Sequence, residues 1–230
     1  MRDNDFSQPV FNALPPAVVA LALAIFAVEV VLWAGARGVI GGNDAIGWRV
    51  LAIREFSFFP GILAWLFETG NWSLEHMKRF VTYPFVHGGF THAVFVIVFL
   101  LALGKLVGEG FGNLAVLVLF FACGIFGALV YAGLTGSDRP LIGGFASVYG
   151  LIGAYTFLLW VGYGAAGENQ YRAFTLIGFL MGIQLIFGIL FGSSPDWVAE
   201  IAGFALGFVL TPALAPGAFR RFMDRMRQRH

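Results

Sequence analysis

Carboxylates, imidazoles and hydroxyls placed inside long apolar runs are the groups through which this chain could do chemistry. Ser147 is a hydroxyl in such a run, able to act as a nucleophile only if a base faces it and otherwise bonded back to its own helix or to a neighbour. Glu29 and Glu200 are acids inside apolar runs, and an ionisable group in that setting is costly enough to be a functional candidate by default. Glu29 should face another helix or a partner protein. Glu200 stands beside Asp196 and Trp197, so it could bond across to the second or fourth helix, be wetted through a cavity, or sit at an interface. Glu109 flanks a loop and should reach water. His76, His87 and His92 could ligate a metal together with a carboxylate, but Cys/His pairs at ligand spacing are absent, so packing histidines and no metal or other cofactor are expected. The single Cys123 can form no intramolecular disulfide and reads as a small buried hydrophobe.

The elements that would position these groups are apolar helices. Hydrophobic residues make up 59% of the chain and charged residues 12%, against roughly 45–50% and 25% in soluble domains. This composition requires a membrane. About 20 apolar residues span a bilayer, and runs of that kind, bounded by Gly, Pro or charge, predict helices at 16–36, 91–107, 114–134, 145–162, 174–191 and 198–215. The expected architecture is all-α and polytopic, a single domain over 1–230 with a short N-terminal segment 1–15 and a basic C-terminal tail 217–230. The N-terminal segment lacks a basic stretch and runs into an apolar segment too long for a cleaved signal, so the first helix should be retained. Five arginines between 220 and 229 favour a cytoplasmic tail by the positive-inside rule, and an even number of spans then makes both termini cytoplasmic. Between the first two spans, residues 38–83 scatter Trp48, Trp65 and Trp72 among charges, a pattern suited to helices lying in the headgroup layer. The net charge of +1, concentrated at one end, excludes a groove-following nucleic-acid surface.

Three segments resemble the rhomboid intramembrane proteases. Leu141-Ile142-Gly143-Gly144-Phe145-Ala146-Ser147-Val148-Tyr149-Gly150-Leu151-Ile152-Gly153-Ala154-Tyr155 is similar to the family's Gly-x-Ser-Gly helix, with Phe145 in the serine's place. Ala199-Glu200-Ile201-Ala202-Gly203 resembles the last helix, with Glu200 in the histidine's place. The stretch from Arg79 to His92 is similar to the family's entry to its second helix; His92 matches an oxyanion-site histidine, while the asparagine position four residues on is Val96. Ser147, two residues beyond Phe145, points about 200° away around a helix. Gly150 and Gly153, with Gly203 and Gly207, form small-residue stripes for close helix packing. The resemblance covers roughly residues 79–207; the amino-terminal third is matched by layout alone.

The resemblance implies a six-transmembrane-helix rhomboid-like bundle with an interfacial loop between helices 1 and 2. Because the dyad positions carry neither a nucleophile nor an imidazole, it implies a pseudoprotease, an adaptor or accessory subunit that binds other transmembrane proteins within the lipid bilayer. The alternative is an active rhomboid serine endopeptidase with a non-standard dyad using Ser147. The compact form suits a bacterial cytoplasmic membrane.

Overall fold

A computed structural model describes residues 13–191 and 194–214. The basic tail 217–230 and most of the segment 1–15 lie outside the described residues.

The first span, α1 (Pro16–Ala36), begins with a proline in its first turn, where the missing N–H would have had no partner. The connection that follows is itself helical: α2 (Trp48–Phe56), α3 (Pro60–Thr69), α4 (Leu74–Met77) and α5 (Arg79–Thr82). Arg79 ties this connection together. It is 8% exposed, and its Nη1 donates to the carbonyls of Arg54 (2.7 Å) and Ser57 (3.1 Å), satisfying acceptors that the end of α2 leaves free. Thr82 adds a hydroxyl donation to Phe56 O at 2.9 Å, and Lys78 pairs with Glu55, holding that exposed carboxyl below the usual range.

Then come α6 (Phe90–Phe111), α7 (Asn113–Thr135), α8 (Phe145–Ala165), α9 (Thr175–Phe191) and α10 (Trp197–Leu214). Together with α1 they make six helices, among the described residues, that are long and apolar enough to cross a membrane. The protein is a multi-pass integral membrane bundle. The second span runs four residues past the expected end at 107, because Lys105 and Glu109 stay on the helix as an i,i+4 pair at 4.0 Å and Gly112, at φ +86°, makes the break. Glu109 therefore lies in the last turn of α6, beside the break, and is exposed.

The core centres on α8. Val148, Leu151 and Ile152 are fully buried among Val96, Leu100, Leu119 and Phe120 of α6 and α7. The contact between α8 and α10 is backbone against backbone. A Cβ on Gly153 would stand 2.1 Å from Phe204 O, one on Gly203 2.1 Å from Ala146 O, and one on Gly207 2.0 Å from Gly150 O. Gly150 also makes room for Cys123 of α7.

Candidate functional site

The segment entering α8 is held by the connection between the first two spans. Phe58 and Leu141 exchange both backbone hydrogen bonds, at 3.2 and 2.8 Å, and Gly143 N donates to Tyr83 O at 3.1 Å. Gly144 N donates to His87 Nε2 at 3.4 Å. Gly143 is required here twice over: its φ is +81°, and a Cβ would come within 2.7 Å of the His92 ring. The His87 and His92 rings meet edge to face at 5.0 Å, and the Phe145 ring stacks on His92 at 5.1 Å with an interplanar angle of 16°. Val96 is fully buried against Gly144 and offers no donor.

Glu200 is 5% exposed at the start of α10 and accepts a hydrogen bond from Gln184 Nε2 of α9. Its partner is thus on the fifth span, not the second or fourth, because Gln184 is the one amide in the seventeen residues of α9. A cavity of about 30 Å³ remains between His92, Phe145, Asp196 and Glu200. That volume holds a water or two. Ser147 lies elsewhere: it is fully buried, and its Oγ is 2.5 Å from where a Cβ on Gly124 would stand, against α7. Phe145, His92 and Glu200 share one cavity, and Ser147 does not line it.

Glu29 is 1% exposed and is engaged within the chain. Arg49 of α2 forms a two-pronged pair with it, Nη2 to Oε1 at 2.7 Å and Nη1 to Oε2 at 3.0 Å, and Nη1 also donates to His87 O at 2.8 Å. Of the two alternatives, another helix or a partner protein, Glu29 faces the former, α2 of the same chain. Arg49 and Gln184 are the polar residues that sequence reasoning passed over. A lone acid in one span asks for a base within reach, and a lone amide in mid-span asks for an interhelical bond. His76 is apart from the site, edge-on to Trp65 at 4.7 Å.

The imidazole of His87 links these layers. Burial, followed by the neighbouring His92 and the Arg49 guanidinium, pushes its pKa down to about 3. It therefore stays neutral and can accept from Gly144. An unfolded chain would take up that proton near pH 6.5, so this contribution to stability is present above about 6.5 and is lost as pH falls toward 3, at about 1.4 kcal/mol per pH unit for one group. Thermal unfolding of detergent-solubilised protein between pH 7 and 5 should show the decline, and His87→Gln should have a flatter profile. Equal slopes would remove His87 as its source.

Residues 74–217 match the sequence model of the Rhomboid domain family, a stretch that includes His92, Phe145 and Glu200. The chain is similar to RHOMBOID-like protein 5 of Arabidopsis thaliana, 30% identical over 139 residues, which is 57% of this chain and 43% of that protein's length. The family match extends over more than half of the sequence and includes α6, α8 and α10, which line the cavity together with the segment entering α8, so the chain belongs to the rhomboid family.

Proposed function

We propose that this rhomboid does not cleave peptide bonds and acts instead as a pseudoprotease, an adaptor or accessory subunit that binds other transmembrane proteins in the bilayer. The observation that carries this reading is the Phe145 ring stacked on His92, where the family's serine would stand. A phenyl ring supplies no nucleophile, and acyl transfer needs both a nucleophile and a base to activate it. Glu200, at the position of the family's histidine, is hydrogen-bonded to Gln184 and has no hydroxyl among the residues lining its cavity. The Ser147 endopeptidase reading would require its Oγ to leave the α7 interface and reach a base. The arginine-rich tail at 220–229, with an even number of spans, supports cytoplasmic termini.

The purified protein should take no label from a serine-directed fluorophosphonate and should leave single-span reporter proteins uncut. Labelling that vanishes in Ser147→Ala would overturn the reading. Extraction in mild detergent should yield a co-eluting membrane protein, and its absence across detergents would argue against the adaptor role.

A further inference from the structure

Arg79 is a buried cation without an anion. Among the described residues the ion pairs are Glu29–Arg49, Glu55–Lys78, Glu109–Lys105 and Glu168–Arg172, and none includes it. Buried charges are ordinarily paired, and Arg79 is 8% exposed. Its two hydrogen bonds, to Arg54 O and Ser57 O, both leave from Nη1, and its Nε is buried with no partner. The Nε–Nη2 edge of the guanidinium is therefore unused. Along that edge arginine presents parallel N–H groups, the arrangement that takes up two oxygens of a carboxylate or a phosphate.

The surroundings are positive and apolar together. Lys78, then Arg79 and Arg54, hold the exposed Glu55 carboxyl low, so three cations stand around one acid, and Lys78 already occupies it. On the same short helices Leu74 of α4 is 83% exposed, Met77 37% and Val81 of α5 42%. A free anion gains nothing from such neighbours, whereas a phosphate carrying acyl chains does. The connection joins two membrane spans, which places it at one face of the bilayer.

We infer that the Nε–Nη2 edge of Arg79 is a binding site for the phosphodiester of one membrane phospholipid, with Arg54 adding positive charge and the apolar side chains of α4 and α5 meeting the acyl chains. The phosphate supplies the missing counter-charge and gives the buried Nε an acceptor. Nη1 keeps both of its carbonyl bonds, so the guanidinium is held in place before the lipid arrives, and a pre-organised donor lowers the cost of capture. Occupancy stiffens the connection between the first two spans, because the same side chain joins the end of α2 to α5.

Native mass spectrometry of the full chain in mild detergent, titrated with phosphatidylglycerol or with diacylglycerol of the same chains, reads the site directly. One phosphatidylglycerol should be retained in preference to diacylglycerol. Arg79→Lys keeps the charge and a donor for the two carbonyls but lacks the fork, and it should weaken that retention roughly tenfold or more. Arg54→Gln leaves the backbone carbonyl that holds Arg79 and should weaken it roughly two- to fivefold. If Arg79→Lys fails to fold, Arg54→Gln carries the comparison alone. Excess inorganic phosphate should leave the lipid bound; displacement would make the edge a site for the free anion and overturn the lipid assignment. Equal retention of phosphatidylglycerol and diacylglycerol, or retention of phosphatidylglycerol that neither variant changes, overturns the site itself.

Discussion

Gly207→Ala is expected to force α8 and α10 apart and lower the unfolding temperature in detergent by roughly 5–10 °C, since overpacking costs about 1–3 kcal/mol or more and each kcal/mol shifts a chain of this size by about 2–4 °C. The added methyl would lie 2.0 Å from Gly150 O and 2.7 Å from its carbonyl carbon. Both atoms are backbone, so no side chain can turn aside. Gly153→Ala, 2.1 Å from Phe204 O and 2.7 Å from Phe208 N, should behave alike. Gly133→Ala in α7 is the control, because nothing lies within 4 Å of its added methyl. It should melt within about a degree of the unsubstituted protein, helped slightly by alanine's higher helix propensity. If Gly207→Ala and Gly133→Ala melt together, the glycine stripes are not what sets the α8–α10 spacing.

How much of this was legible in the sequence follows from the range over which each signal acts. The spans were legible because desolvating a helix's worth of apolar residues is a local property: α1 falls where expected, and α8 begins at Phe145 as read. The ends of α6 and α9 shifted for local reasons that hydropathy does not encode. Lys105 and Glu109 remain helical as a pair, and residues Gln170–Phe174 form a separate 3-10 turn before α9. The substitution at Phe145 could be read, but the stacking of its ring on His92 could not, because it depends on Gly143 leaving space beside both histidines. Long-range polar pairs were the least legible. Arg49 looked like one more charge in an interfacial connection, and only the fold brings it to Glu29, twenty residues earlier, and to the carbonyl of His87.

That pair carries the second large effect. Glu29→Leu removes a carboxylate whose side chain is 2% exposed and leaves the Arg49 guanidinium, 18% exposed, with the His87 carbonyl as its remaining acceptor. Breaking a buried pair by deleting one member costs about 3–5 kcal/mol; the low end is expected here, since a partly exposed arginine can extend toward the headgroups. Arg49→Met leaves the acid stranded in α1 and also removes the donor to His87 O, so it should be at least as damaging. The double variant Glu29→Leu/Arg49→Met should recover most of the loss, because an apolar pair of similar volume carries no desolvation cost, and the coupling from a four-protein cycle should reach about 2 kcal/mol. Additive single effects would mean that the two-pronged geometry contributes little. The same cycle guards the partner assay. Glu29 is 1% exposed, so a partner lost on Glu29→Leu cannot have been touching that carboxylate in the folded state. If Arg49→Met loses it equally and the double variant regains it, the partner depends on the connection between α1 and α6 being held in place rather than on a contact at Glu29.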